Sequence, residues 1–382
     1  MKLGHRLGNW LETHWVKPAY AGGLLLFLSI FFFGAATNTM AGWLYVISGA
    51  SFALIGVAIV LPLRSLRQLE IRRRPISPVS AGDELTIELE IANKHPQPKS
   101  LLQVRDIIPL KLGSPVAETI EIVPSHGSHK WVYYQEAAKR GVYHWHEVQL
   151  RTATPLGLFW CRRHRRVPTK AIVYPTVLPL SRCPLIDEIG TERNRSSQDR
   201  DRQSQMAAQG LTRALRPYRS GDPIRLIHWR TSARYGDLRV RELEVFTSGW
   251  DVIVALDNTT SWEVDNFEEA AIAAASIYFY ASQRQLNVRF WSATTGLLQG
   301  HQVVLEALAG VSCGETGSME SLPSAPSIWL TQNPDRINAL PPGSRWLLWE
   351  PTQNPQRRDT SKTYNFPGMT VDGKRPLQLN LQ

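Results

Sequence analysis

The chain has 382 residues, 43% of them apolar and 20% charged, with a formal net charge of +10. That length suggests two or three domains with room for a sizeable core, and the composition argues against wholesale disorder. Cys161, Cys183 and Cys313 lie far apart without pair or metal spacing, which argues against a disulfide framework or zinc site and fits a reducing compartment.

Residues 1–18 are short and basic, with Lys2, Arg6 and Lys17 opposed only by Glu12. Two apolar runs without a charge follow, Ala19 to Thr37 and Ala41 to Leu61. Each is close to the ~20 residues that a spanning helix needs. A cleaved signal peptide fits the first run poorly, because the second follows almost at once and signal-peptide cores are shorter. The pair predicts a helical hairpin over 19–63, with its loop at Asn38 to Met40. Arg64, Arg67, Arg72, Arg73 and Arg74 follow the second run, and the loop carries no basic residue. The positive-inside rule then places both ends, and everything after residue 64, in the cytoplasm: a multi-pass protein of the plasma (inner) membrane. The arginine cluster can also rest on anionic headgroups.

From 69 to 186 the texture changes. Thr86 to Ile91 alternates apolar and polar residues, the mark of a half-buried strand. Similar runs occur at Leu102–Ile107, Thr119–Val123, His129–Tyr134, Gly141–Trp145 and Val148–Arg151, which predicts an antiparallel β-sandwich of immunoglobulin type. His126, His129, His144 and His146 read more readily as strand-surface histidines than as metal ligands. Lys139, Arg140, Arg151, Arg162, Arg163, Arg165, Arg166 and Lys170 form a basic belt. A solvated or bilayer-facing surface accounts for it better than a nucleic-acid site does. Residues 187–210 are polar and of mixed charge, the composition of a linker.

A dense Arg/Asp/aromatic segment comes next. Arg213, Arg216, Arg219, Arg225, Arg230, Arg234, Arg239 and Arg241 are interleaved with Asp222, Asp237, Glu242 and Glu244, and with Tyr218, His228, Trp229 and Tyr235. Arginine forks pair with carboxylates and stack on rings. Gly221-Asp222-Pro223 and Gly236-Asp237 are turns, so the segment folds back on itself. An Arg–Asp network pinning it to the adjoining domain is the plain reading, and a recognition surface for an acidic partner is the functional one. Beyond Trp250, strands at Asp251–Leu256, Asn287–Trp291, Ser327–Leu330 and Arg345–Trp349 alternate with helices at Phe267–Gln283 and Gln302–Ala309. This predicts an α/β domain within 211–350, a parallel sheet with helices on both faces. The tail, 351–382, ends the sheet loosely.

The first of these strands breaks at Asp257, where Asn258, Thr259, Thr260 and Ser261 follow. Ligands of open α/β sheets sit beyond the carboxyl ends of the strands. Asp257, Thr259 and Ser261 can offer hard oxygens to Mg²⁺ or Mn²⁺, or the run can simply cap the next helix.

Three stretches carry a family resemblance: LRPYRSGDPIRLIHWRTSARYGDLRVRELE (Leu215 to Glu244), KRGVYHWHEVQLRTATPLGLFWCRR (Lys139 to Arg163) and DVIVALDNTTS. Together they resemble the domain-of-unknown-function 58 (DUF58) family, membrane-anchored proteins ending in a von Willebrand factor A-like, Rossmann-like domain. The resemblance implies a MoxR-type AAA+ ATPase as partner, a scaffold or adaptor role through protein–protein interaction, and no enzymatic activity. Tyr218, Gly221, Asp222, Arg225, His228, Trp229, Arg234 and Glu242, with Arg216, belong to the signature, structural or partner-binding. A metal-ion-dependent adhesion site of this fold needs Asp–x–Ser–x–Ser, a Thr from a second loop and an Asp from a third. Asp257, Thr259 and Ser261 match the first element, with Thr for Ser. Thr316 is the second-loop candidate. Thr331 and Gln332 stand where the third-loop Asp belongs, with Asp335 a little further on, so the site is incomplete and holds a metal weakly unless a partner adds a carboxylate. The alternative is a membrane-bound metal-dependent hydrolase using Asp222, His228 and Asp257. Against it, the sequence has no nucleophile elbow, P-loop or dinucleotide fingerprint. No nucleic acid and no small-molecule substrate is expected.

Overall fold

A computed structural model describes residues 10–188, 212–218, 227–229, 232–233, 236–243, 251–315, 325–350, 364–373 and 375–382. The chain divides into two compact units, Met1–Thr176 and Val177–Gln382.

The first unit opens with a helical stretch at 10–14 and a short strand β1 (Lys17–Pro18), followed by two helices, α1 (Tyr20–Thr39) and α2 (Gly42–Ser65). Both are long and apolar enough to cross a membrane by length and composition. Met40, in the left-handed region at φ 50°, ends α1. Polar side chains on the helices turn back on their own backbone: Ser29 Oγ donates to the Leu25 carbonyl (2.7 Å) and Ser48 Oγ to the Tyr45 carbonyl (3.0 Å). That satisfies groups that hydrocarbon cannot. Buried Gly22, Ser29 and Ala36 on α1 and Ser48 and Ala58 on α2 are small residues of the kind that let helices approach closely. Helix α2 outlasts its apolar run because its last turn is held: Lys99 Nζ donates to the Arg64 carbonyl (3.4 Å) and Arg165 Nη2 to that of Leu66 (3.0 Å). Cations suit a helix C-terminus.

Eight strands follow: β2 (Leu69–Arg73), β3 (Val79–Ser80), β4 (Glu84–Asn93), β5 (Lys99–Ile107), β6 (Val116–Val123), β7 (Ser128–Glu136), β8 (Gly141–Thr152) and β9 (Phe159–Tyr174). They form a three-stranded antiparallel sheet, β2-β4-β7, and a second sheet ordered β1-β9-β8-β5-β6, with β3 parallel to β9. Alternate residues of both sheets, among them Leu85, Ile87, Leu89, Ile91, Val104, Trp145, Val148 and Leu150, share one core. Ile55, Ala58 and Leu66 belong to the same core, so α2 is rooted in it. The two runs expected at 141–145 and 148–151 are one strand whose register shifts between Trp145 and Glu147. The 16-residue β9 has no counterpart in the sequence reading. It runs through the basic belt, whose arginines hide its alternation. Several of them tie down the N-terminal segment: Arg151 and Arg162 bond the buried Glu12 carboxylate, and Arg163 donates to the carbonyls of Thr13 and His14. That part of the belt is internal fastening.

In the second unit, residues 184–188 form a helical turn whose Leu185 and Ile186 enter the core, while Glu188 pairs with Arg345. The rest of the expected linker, 189–210, lies outside the described residues. An antiparallel ribbon pairs β10 (Thr212–Pro217) with β11 (Arg239–Leu243). Beyond it comes a mixed six-stranded sheet of β12 (Asp251–Leu256), β13 (Asn287–Ser292), β14 (Gly296–Leu298), β15 (Ser327–Thr331), β16 (Arg345–Trp349) and β17 (Gly368–Val371). Its order is β14-β13-β12-β15-β16-β17, parallel except for the edge strand β14. Helices α3 (Val264–Gln283), α4 (His301–Gly310) and α5 (Leu377–Leu381) complete the unit.

Two expectations are corrected here. The tail does not end the sheet loosely: β17 adds a parallel strand, and Leu381 of α5 is fully buried. Nor do α-helices cover both faces among the described residues. Val252, Val254 and Leu256 face the cluster containing α3 and α4. Ile253 and Ala255 face Trp291, Trp329, Trp346 and Ile337, the last from a 3₁₀ turn at Pro334–Ala339. Large indoles fill this face, and among the described residues Tyr364 and Phe366 pack against it with the 3₁₀ turn.

Candidate functional site at the strand ends

The carboxyl end of β12 sits in mid-sheet between β13 and β15, so the residues after Leu256 emerge between two other strand ends. Asp257 N–H still donates to the Leu330 carbonyl (3.0 Å), continuing the sheet pattern, and Trp262 Nε1 donates to the Asp257 carbonyl (2.6 Å). These bonds fix the aspartate backbone.

Its carboxylate is 1% exposed, with both oxygens hydrogen-bonded. Oδ2 accepts from Thr331 Oγ1 at 3.0 Å. Oδ1 accepts from Thr259 Oγ1 at 3.0 Å and from Arg336 Nη1 at 3.2 Å, with the Thr259 N–H at 3.4 Å. Arg336 Nη1 also donates to Thr259 Oγ1 at 2.8 Å. The structure thus brings Asp257 and Thr259 together as the spacing suggests, while Ser261 is exposed and Thr331 supplies the second hydroxyl. Asp335 lies in the 3₁₀ turn, where its backbone N–H donates to Asn333 Oδ1 (3.0 Å). Thr316 lies outside the described residues. Around Asp257 the donor set therefore fits a guanidinium better than a divalent ion: one carboxylate, two hydroxyls, and a fixed positive charge bonded among them.

Arg336 is the residue that sequence reasoning missed. It lies 79 positions from Asp257 and no motif marks it. Asn258, read only as part of a polar run, organises the neighbouring loops. Its Nδ2 donates to Thr294 Oγ1 (3.2 Å) and Glu315 Oε2 (3.0 Å), and its Oδ1 accepts from the Ala293 N–H (3.0 Å). Beside it opens a groove of about 630 Å³, lined in part by Thr294, Thr295, Glu306 and Glu315. Among the thiols, burial pushes Cys183 up to about 11 and raises Cys161, which suits packed neutral groups.

Of the signature residues, Gly221, Asp222, Arg225 and Arg234 lie outside the described residues. Arg216 and Glu242 sit on the ribbon, at register positions opposite Val240 and Ala214. Tyr218 N–H donates to the Leu238 carbonyl (2.8 Å), and His228 N–H to that of Arg239 (2.8 Å). Ser232 Oγ bridges the His228 carbonyl (3.1 Å) and the Arg239 N–H (2.9 Å). Gly236, at φ 78°, makes the return turn. Ile227 and Val240 are buried, whereas Trp229 is 62% exposed.

Comparison with known proteins gives this region a class. Residues 214–299 match the model of the family described as protein of unknown function DUF58, so the resemblance carried by Leu215 to Glu244 is borne out across the ribbon and the Asp257 loop. The uncharacterized protein YeaD of Bacillus subtilis (strain 168) is 26% identical over 261 residues, 66% of this chain. The match spans 62% of YeaD's length. Among solved structures, a β-glucosidase from Listeria innocua aligns at TM-score 0.18 and 11% identity, over 29% of this chain and 16% of its own. An alkylpurine DNA glycosylase from Pseudomonas fluorescens aligns at TM-score 0.18 and 11% identity, over 37% and 43%. Scores this low carry no argument about fold or activity.

Proposed function

We propose that the chain is a membrane-anchored, non-enzymatic adaptor. The α1–α2 hairpin spans the membrane, and the first β unit is an immunoglobulin-like spacer. The second unit is a von Willebrand factor A-like head that binds protein. The observation that carries this reading is the arginine at Asp257. Oδ1 accepts from Thr259 and Arg336 and Oδ2 from Thr331, so a fixed positive charge already bonds the carboxylate that a general base or a hydrolytic metal site would use. A parallel sheet whose loops lock one another is a rigid platform for recognition. Trp229, exposed two residues after the Ile227 bridge to the ribbon, has the character of an interface anchor. The partner we assign is the MoxR-type AAA+ ATPase that the family resemblance implies.

The test is affinity purification of the full tagged chain from detergent-solubilised membranes, read by mass spectrometry. A AAA+ ATPase recovered with the wild type and reduced at least tenfold by Trp229→Ala is the expected result. Absence of any such ATPase from the wild-type eluate would reject the partner.

A further inference from the structure

A hard divalent ion held by one aspartate and two hydroxyls keeps a net charge of +1, which recruits a second carboxylate. The second unit solves the electrostatics of that loop differently. Arg336 Nη1 lies 3.2 Å from Asp257 Oδ1 and 2.8 Å from Thr259 Oγ1, inside the oxygen cluster that a cation would share. Its charge of +1 matches the single carboxylate, so the pair is neutral. The arginine is also firmly placed. It rides on the 3₁₀ turn Pro334–Ala339, whose start is capped by Asn333 and whose Ile337 is fully buried. Asn333 N–H in turn donates to Thr331 Oγ1 (3.0 Å), the hydroxyl that bonds Asp257 Oδ2, so the same turn positions both the cation and one of the hydroxyls.

We propose that Arg336 is the resident cation of the Asp257 loop and takes the place of a divalent metal ion there. This goes beyond the adaptor reading and stands or falls without a partner. The loop is then indifferent to chelators, and its resident cation, a guanidinium, does not deprotonate in the accessible range. A partner's carboxylate meets a neutral pair at this loop, so recognition does not proceed by a metal-bridged carboxylate.

The experiment is a Mn²⁺ titration, followed by electron paramagnetic resonance, on the full chain in detergent, alongside melting curves in Mg²⁺ and in EDTA. The wild type is expected to show no Mn²⁺ site that Asp257→Ala removes, and the same melting temperature in both media. Arg336→Ala frees the aspartate and is expected to gain one Mn²⁺ site, with a dissociation constant on the order of 10⁻³ M, that Asp257→Ala in the same chain abolishes. Arg336→Gln, which keeps hydrogen-bond donors and removes the charge, guards against loss of folding and is expected to gain the same site. An Asp257-dependent Mn²⁺ site in the wild type overturns the proposal. So does failure of both Arg336 variants to gain one.

Discussion

Arg73 reaches from β2 to Asp106 on β5, and Tyr133 on β7 closes the group, with Tyr133 Oη donating to Asp106 Oδ2 at 2.8 Å. The two charged side chains are 1% and 0% exposed, and Arg73 Nη2 lies 2.6 Å and 2.7 Å from the two carboxylate oxygens. Removing one partner of such a pair leaves a buried charge, so Asp106→Ala should cost about 3–5 kcal/mol. Urea denaturation followed by tryptophan fluorescence measures it, and a loss under 1 kcal/mol would contradict the assignment. The tyrosine adds a pH signature. Burial first, and the Asp106 carboxylate second, hold its phenol above the ordinary value of 10.0. A folded value above the unfolded one means that the folded state keeps the proton. That contribution is complete below about pH 10 and is lost as pH rises beyond it, by up to about 1.4 kcal/mol per unit. Tyr133→Phe should therefore be less stable at pH 8, by about 1–3 kcal/mol, yet lose stability less steeply between pH 10 and 11. Parallel slopes for the two proteins would refute this. Neither this group nor the Arg336–Asp257 pair is visible in the sequence. Each joins residues far apart in the chain, and arginine is common throughout it.

Between elements, a close fit in the first unit lies where α1 starts. β1 pairs with the beginning of β9, and Ala19 N–H donates to the Leu158 carbonyl (2.9 Å). A Cβ added at Gly22 would lie 2.0 Å from that same carbonyl oxygen, while one added at Gly23 meets nothing within 4 Å. Gly22→Ala must push the helix off the 153–158 turn and should cost about 1–3 kcal/mol, the usual range for overpacking. Gly23→Ala should be neutral or slightly stabilising. Melting temperatures in detergent separate the two, and equal shifts would mean that α1 does not dock there. Elements of this kind were largely legible from pattern. The charge-free runs gave the hairpin, and strict alternation at Thr86 to Ile91 lies within β4. The α/β alternation placed β12, β13, β15 and β16 to within a residue or two. Pattern did not supply the short strands β1, β2, β3 and β14, the ribbon strands β10 and β11, or β9 and β17. In β9, arginines that serve as internal ties occupy positions that would otherwise read as solvent-facing polar residues. β17 is a four-residue edge strand in a polar tail, with too few residues to establish a period.

At the scale of the whole chain, the reading of a membrane anchor makes a directional demand. Helix α1 has 20 residues and α2 has 24, about 30 Å and 36 Å of helix, part of which at the β-unit end packs on that unit. Leu25, Ile55, Ile59, Leu63 and Leu66 all pack in or against the core of the first β unit, so that unit lies at the end of the hairpin away from Met40. Arg64, Arg67, Arg72, Arg73 and Arg74 are at the β-unit end, and residues 38–42 carry no charge. On the anchor reading, carrying that arginine set across the bilayer is costly whereas the uncharged turn crosses readily, so Met40 is expected outside and the β unit in the cytoplasm. The test uses single cysteines in a Cys313→Ser background, because Cys161 and Cys183 are buried. Met40 is 88% exposed and Leu379 63%, so Met40→Cys and Leu379→Cys are suitable reporters. A membrane-impermeant maleimide added to intact cells should label Met40→Cys and leave Leu379→Cys unmodified until the membrane is opened. Labelling of Leu379→Cys in intact cells would invert the topology and remove a cytoplasmic ATPase from the set of possible partners. Protection of both sites until permeabilisation would mean that the hairpin does not cross. The chain would then lie on the membrane surface, held by its apolar helices and arginines.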